Sequence, residues 1–193
     1  MTYTVKHYEL KKKYAHVTFN DDKKELPLEV FYRYHIKVGL ELDEKTFQSL
    51  LNDAEYSWCK DKALRLLKVP KTSYEIKEKL SGFHSNIVKQ VIQELIHKGY
   101  VNDHAYMKLY HELRPSIGPK KLMYTFKNKG IDHQVIQAFI ETVDEQDGLY
   151  RAFDKVYKKT TKKSYQKTKE SMYQHLIQQG FSSSKIITII DEK

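Results

Sequence analysis

The sequence predicts a mainly α-helical protein in which three tandem three-helix repeats form an elongated, curved body, preceded by a small N-terminal module that contains a β-hairpin. Three observations lead to this prediction. The first stretch of the chain alternates apolar and polar residues as strands do, apolar residues then recur with helical spacing, and a glycine-anchored pattern occurs three times. With 40% hydrophobic and 31% charged residues, the chain has enough apolar side chains for a core beneath a charged surface.

The N-terminal module is predicted at residues 1–55. Residues 2–10 and 14–20 are rich in Tyr, Val, Thr and Phe, which alternate roughly with polar residues as in half-exposed strands. We expect turns at residues 11–13 and 20–22. The second contains Asn and Asp, whose side chains bond to the nearby backbone and tolerate left-handed geometry. The two strands would form a hairpin.

The remainder of the module is predicted to be helical. Pro27 favours the start of a short helix, and Gly39 is expected to end it. Asp43 precedes a second apolar-periodic stretch and is predicted to cap that helix, because its carboxylate can accept from the first free backbone N–H groups.

An internal repeat organises the rest of the chain. Gly82, Gly130 and Gly180 lie 48 and 50 residues apart, and apolar residues follow each glycine at offsets of +1, +5, +6, +9 and +10, except at Lys185. These offsets describe one face of a helix after a glycine turn. The preceding helix carries apolar pairs four residues apart, which are Ile76/Leu80, Leu122/Phe126 and Met172/Leu176.

A third helix is predicted before each of these pairs. Its apolar residues are Ala63, Leu64 and Leu67 in the first repeat, Tyr106, Leu109 and Tyr110 in the second, and Ala152, Phe153, Val156 and Tyr157 in the third. The repeats are therefore predicted at residues 56–101, 102–145 and 146–193. Units of this kind bury their apolar faces on their neighbours.

Positive charge increases along the chain. The net charge is +9, and residues 148–193 alone carry ten Lys and Arg against four Asp and Glu, whereas residues 1–55 carry nine against ten. A local excess of this kind indicates an anionic partner such as nucleic acid or an acidic protein groove, although a solvated basic surface would have the same composition.

The sequence contains no catalytic constellation. It has no phosphate-binding glycine loop and no metalloprotease histidine pair, and nothing near His104 and His111 completes a metal site. The single cysteine, Cys59, excludes an internal disulfide and is expected to be an inert thiol. No apolar stretch reaches the ~20 residues of a membrane span, and no signal-peptide core is present. We therefore expect a cytoplasmic protein that is not an enzyme and uses no cofactor or metal.

A winged helix-turn-helix is the alternative for residues 72–101. In that interpretation the helix from Ser85 would enter a major groove and read sequence, as in a transcription factor. A wing needs two strands after Gly99, whereas Asp103 is expected to cap another helix, and the trihelical pattern recurs twice more. The repeat is therefore the favoured interpretation.

With the repeat in place, the chain resembles the RecX family of regulatory proteins, in its longer Gram-positive type with an N-terminal extension. The segments that carry the resemblance are Leu66-Leu67 with residues 71–76, residues 99–103 with Tyr106, Tyr110 and Arg114, and residues 118–122 with Phe126 and residues 129–131. Lys71 and Lys121 stand where the family usually has Arg, which weakens any bidentate phosphate contact at these positions.

The resemblance implies a protein that binds within the helical groove of the RecA–DNA filament and mainly inhibits RecA recombinase, ATPase and coprotease activity, thereby regulating DNA repair and recombination. We expect it to be a monomer. Weak, sequence-independent contact with single- and double-stranded DNA is expected from the basic charge. The candidate contact residues are Lys120, Lys121, Lys127, Lys129, Arg151, Lys155, Lys158, Lys159, Lys162 and Lys163, with Lys167 and Lys169 in the same Lys-rich segment.

Overall fold

The computed structural model describes the backbone of residues 1–160 and 165–192, and the side chains of residues 1–158 and 168–192. It confirms the predicted fold class, a mainly helical chain with a small N-terminal antiparallel sheet. The chain divides into two compact units, residues 1–69 with 76–100, and residues 70–75 with 101–193. The four predicted segments and the number of repeats stay predictions.

The N-terminal sheet has four antiparallel strands in the order β3-β2-β1-β4. They are β1 (Thr2–Leu10), β2 (Tyr14–Phe19), β3 (Asp22–Pro27) and β4 (Glu41–Asp43). The hairpin of β1 and β2 is as predicted, and so are the turn at Asn20 and the helix that follows Pro27. The strand β3 between them was not predicted, and it pairs with β2 from Phe19 opposite Asp22 to Tyr14 opposite Pro27. A tight turn at Asn20, with φ of 51°, allows this pairing.

The sheet packs on two helices, α1 (Leu28–Arg33) and α2 (Glu44–Leu66). Phe19, Leu26 and Leu50 are fully buried in the core between them. The carboxylate of Asp43 accepts from the backbone N–H of Thr46 at 2.7 Å, so the predicted cap of α2 is confirmed.

Eight further helices follow within the residues described. They are α3 (Ser73–Lys79), α4 (Ser85–His97), α5 (Asp103–Glu112), α6 (Pro119–Asn128), α7 (His133–Glu141), α8 (Glu145–Thr160), α9 (Tyr165–Gln178) and α10 (Ser183–Asp191). All six residues of the predicted apolar pairs in α3, α6 and α9 are buried, and so are Ile136, Phe139, Ile186 and Ile189. The helical periodicity therefore identified much of the core, although Leu64, Leu109, Val135 and Tyr157, which were expected on apolar helix faces, are 39–47% exposed.

One predicted helix start is corrected by a single residue. Asn102, not Asp103, caps α5, because its side chain accepts from the backbone N–H of Ala105. The Asp103 carboxylate accepts instead from the backbone N–H and the hydroxyl of Ser73, at 2.8 and 2.7 Å.

Close contacts within the second unit hold both ends of α6. At its start, the N–H of Gly118 donates to the carbonyl of Gln179 at 2.8 Å and the N–H of Lys120 donates to that of Gly180 at 3.1 Å. At its end, the ring of Tyr74 lies directly against Gly130, where a Cβ would come within 2.1 Å of the ring. Gly130 and Gly180 both have positive φ, as the predicted glycine turns require, whereas the third predicted turn glycine, Gly82, does not.

An ion-pair cluster stabilises the first unit. The Glu94 carboxylate accepts from the ammonium groups of Lys60 and Lys98 at 2.8 and 2.6 Å, and from the hydroxyl of Tyr56. These hydrogen bonds, led by that of Lys60, lower the pKa of Glu94 to about 2. The same unit buries Cys59 completely, and burial raises the pKa of its thiol to about 11.

Candidate nucleic-acid interface

The predicted contact residues fall into three groups by the partners that their side chains have. The first group carries intramolecular contacts, the second pairs with carboxylates one helical turn away, and the third has no carboxylate partner. The side chains of Lys159, Lys162, Lys163 and Lys167 lie outside the described residues.

Lys129 and Lys121 have mainly structural contacts. The Lys129 ammonium donates to the Glu75 carboxylate at 2.6 Å and lies 5.4 Å from the centre of the Tyr106 ring, and the Glu75 hydrogen bond raises the pKa of Lys129. Lys121 is half-buried and donates to the side-chain carbonyl of Gln179 at 3.1 Å. A phosphate would have to compete with these partners, so both lysines contribute more to packing than to an open cationic surface.

Arg151 and Lys158 lie on α8 beside carboxylates. Arg151 pairs with Asp147 at 2.8 Å and Lys158 pairs with Asp154 at 3.2 Å, each four residues apart, and all four side chains are more than half exposed. Exposed pairs of this type hold their partners weakly. These cations therefore remain accessible to an anion, although the neighbouring carboxylates reduce the local positive charge.

Lys120 and Lys127 lie on one exposed stripe of α6 with Tyr124 between them. The three residues are spaced four and three apart, which places them on the same helix face, and Tyr124 is 68% exposed. Neither lysine forms an ion pair with a described residue, and α6 contains no Asp or Glu. An exposed ring between two cations can stack on a base while the lysines contact phosphates.

Lys155 lines a concave pocket that the charge pattern alone did not reveal. Its ammonium donates to the Ser116 hydroxyl at 2.8 Å. Arg114, His175 and Gln179 line the same cavity, whose volume is about 320 Å³. The remaining lining residues are Leu113, Pro115, Ile117 and Ala152, so the pocket has apolar walls and polar groups that are mainly hydrogen-bond donors.

Sequence reasoning missed Arg114, Ser116, His175 and Tyr124 as candidate site residues. Arg114 and Ser116 lie in the segment between α5 and α6, and His175 lies near the end of α9, about 60 residues later along the chain. Folding brings them beside Lys155 on α8. The Lys-rich run of α8 could identify only that one wall of the pocket.

The predictions that the protein is not an enzyme and uses no metal stay predictions. Among the described residues no group of three or more His, Cys, Asp or Glu side chains could hold a metal ion. His104 and His111 both set their rings edge-on to Phe139, with centroids 5.9 and 6.2 Å away. No helix in the described parts of the chain has the length and apolar character needed to cross a bilayer.

The winged-helix alternative requires a two-stranded wing after Gly99, and the described residues that follow do not form one. After Gly99, residues 100–102 lead directly into α5, and no strand is present within residues 99–160. The helix α4 has the apolar face that the repeat predicts, with Val88, Val91 and Leu95 buried. Its buried positions therefore serve the core of the first unit.

Comparison with known proteins relates the chain to one group of regulatory proteins. No protein-family model matches the sequence. The chain is 27% identical to the regulatory protein RecX of Clostridium tetani over 173 residues, covering 85% of this chain and 80% of the relative. It is 28% identical to the regulatory protein RecX of Clostridioides difficile over 176 residues, covering 85% and 81%. The chain is thus similar to RecX regulatory proteins over most of its length.

Solved structures of RecX proteins have the same fold. A crystal structure of regulatory protein RecX matches with a TM-score of 0.73 at 18% identity, covering 99% of this chain and all of the other. RecX from Lactobacillus salivarius matches with a TM-score of 0.64 at 24% identity, covering 72% and 96%. The predicted resemblance to the RecX family is thus confirmed, and the described architecture is that of RecX proteins.

Proposed function

We propose that this protein binds the RecA–DNA filament and regulates it, mainly by inhibition of RecA recombinase, ATPase and coprotease activity. The observation that carries the proposal is the similarity of 85% of the chain to proteins named regulatory protein RecX. The protein then acts in the cytoplasm as a monomer, without an enzymatic activity of its own, and regulates DNA repair and recombination.

The charge distribution supports a nucleic-acid component of binding. In the second unit, Lys120, Lys127 and Lys155 make no ion pair with a described residue, and Arg151 and Lys158 have only exposed partners. Such cations attract phosphates without reading sequence. We expect weak binding to single- and double-stranded DNA that falls steeply with salt, because each phosphate contact releases counterions.

The test is ATP hydrolysis by purified RecA on single-stranded DNA, with increasing concentrations of this protein. Wild-type protein should inhibit hydrolysis. A fourfold charge reversal of Lys158, Lys159, Lys162 and Lys163 to Glu should weaken inhibition and slow association with the filament, because charges at the edge of an interface act mainly on the encounter rate.

A matched control places the same charge change in the N-terminal module. Lys12, Lys13, Lys23 and Lys37 are exposed there, and their reversal to Glu should leave inhibition near the wild-type level. If wild-type protein has no effect on RecA at any concentration, the proposed function is wrong. Tight binding to one particular duplex sequence would instead favour the transcription-factor alternative.

A further inference from the structure

We propose that the pocket lined by Arg114, Ser116, Lys155, His175 and Gln179 binds one phosphodiester group of a single-stranded nucleic acid. This inference rests on the proposed function in that it assigns the DNA component of binding to a defined site. The five residues come from α8, from α9 and the residue after it, and from the segment before α6, all within the second compact unit. The cavity of about 320 Å³ has room for a phosphate and part of its nucleotide.

The charge of the pocket is uncompensated. No Asp or Glu lines it, and neither Arg114 nor Lys155 forms an ion pair with any residue that the structure describes. Other basic side chains in the same unit do have carboxylate partners, including Lys129 with Glu75 and Lys185 with Glu145. Two cations that share a concavity without a counter-charge favour an anionic ligand.

The hydrogen-bonding groups of the pocket are mainly donors. Lys155 uses one of its three N–H groups on Ser116, and the remaining two are free to turn toward a ligand. Lys121 donates to the side-chain carbonyl of Gln179, which makes the NH₂ group of Gln179 the part available to an acceptor. A phosphate oxygen accepts from ammonium, guanidinium, hydroxyl and amide donors at once.

Arg114 is preorganised for such a contact. Its guanidinium carbon lies 4.3 Å from the centre of the Tyr110 ring. A guanidinium held over an aromatic face keeps its N–H groups directed outward in its own plane, where they can form paired bonds to two phosphate oxygens. The Tyr110 ring therefore limits the motion of the arginine without using its donors.

The apolar walls favour a single strand over a duplex. Leu113, Pro115 and Ile117 line the pocket, and Leu113 is 68% exposed. In a single strand, the sugar and the unstacked base beside the phosphate can contact these walls. In a duplex the bases are stacked inside the helix, so only the phosphate would reach the pocket.

The test measures binding of the full-length protein to a fluorescent oligothymidylate at several salt concentrations. R114Q should weaken binding roughly 10- to 100-fold, as loss of a hydrogen bond between charged groups does, and K155Q should weaken it in the same direction. The double variant should lower the salt slope by roughly 0.7, the value for one phosphate contact on a single strand. Binding to a duplex of equal length should change less.

Matched controls remove the same charges elsewhere. R65Q and K68Q alter exposed basic residues of the first unit and should leave affinity within about twofold, since exposed distant charges are largely screened. If R114Q and K155Q lose no more affinity than these controls, the pocket proposal is wrong. It is also wrong if the pocket variants lose binding to a polyglutamate peptide while their binding to oligothymidylate is unchanged.

The same variants separate this inference from the proposed function. Inhibition of RecA by the wild-type protein and by R114Q tests regulation of the filament, whereas the oligothymidylate titration needs no RecA. A wild-type protein that binds oligothymidylate through the pocket but leaves RecA unaffected would contradict the proposed function alone. Inhibition of RecA together with unchanged DNA binding by R114Q would contradict the pocket alone.

Discussion

Replacement of Gly180 by alanine should destabilise the protein more than the same change at Gly118, Gly99 or Gly82. Gly180 has φ of +89°, and a Cβ there would lie 2.3 Å from the backbone nitrogen of Lys121. Left-handed geometry costs an L-residue about 1–2 kcal/mol, and overpacking costs about 1–3 kcal/mol more. We therefore expect G180A to lower the free energy of unfolding by about 2–5 kcal/mol.

Other glycines separate the two contributions. Gly118 has an ordinary φ, but its Cβ would lie 2.5 Å from the carbonyl carbon of Gly180, so G118A should show the overpacking cost without left-handed strain. Gly99 has φ of +73° with nothing within 4 Å of an added Cβ, so G99A should show the left-handed strain alone. Gly82 has neither feature, and G82A should change stability by less than about 0.5 kcal/mol.

Urea unfolding followed by helical circular dichroism would measure all four variants. The expected order of destabilisation places G180A first, G118A and G99A between, and G82A last. The reasoning would be refuted if G180A were no less stable than G99A, because the close approach of the α6 start to the α9 end would then carry no energetic weight. Double variant G118A/G180A should cost less than the sum of its parts, since both changes open the same contact.

Three further predictions concern the core, acid stability and nucleic-acid contact. Phe139 is buried, and F139A should cost roughly 3–5 kcal/mol in urea unfolding, whereas an unchanged stability with weaker DNA binding would mark it as an exposed stacking residue. The pKa of Glu94 is lowered from 4.5 to about 2, so its stabilising effect is present above pH 4.5 and is lost as the pH falls toward 2. The stability difference between wild type and E94Q should shrink over that range, and a difference independent of pH would contradict this account. Y124A should weaken oligothymidylate binding roughly 5- to 150-fold while Y124F retains it, and Y32A, which removes a similarly exposed ring from the N-terminal module, should leave binding unchanged.

Much of the helical fold could be predicted because burial has a period. The apolar pairs of α3, α6 and α9 follow the helical repeat and are buried as expected. The strand β3 could not be predicted in the same way, because Asp22–Leu26 are mostly charged and only its last two residues, Leu26 and Pro27, are buried. Its pairing with β2 depends on backbone hydrogen bonds, which side-chain pattern does not record.

The candidate site was less accessible to sequence reasoning. A run of lysines identifies a basic helix, but the partner of each lysine depends on the fold. Lys129 and Lys155 look alike in sequence, yet the first contacts Glu75 and the second lies in a pocket with Arg114. Which cations remain without a counter-charge is decided by residues far apart in the chain.

The two ends of α6 have different side-chain partners, and this difference favours the observed pairing of segments within the second unit. Lys129 precedes the turn glycine after α6 and contacts Glu75, and Gln179 precedes the turn glycine after α9 and contacts Lys121. Glu75 and Lys121 occupy equivalent positions in α3 and α6. If the end of α9 packed on the start of α3 instead, the Glu75 carboxylate would face the neutral Gln179 and Lys129 would lose its counter-charge. The side chains at the helix ends therefore select among segments whose apolar faces are alike.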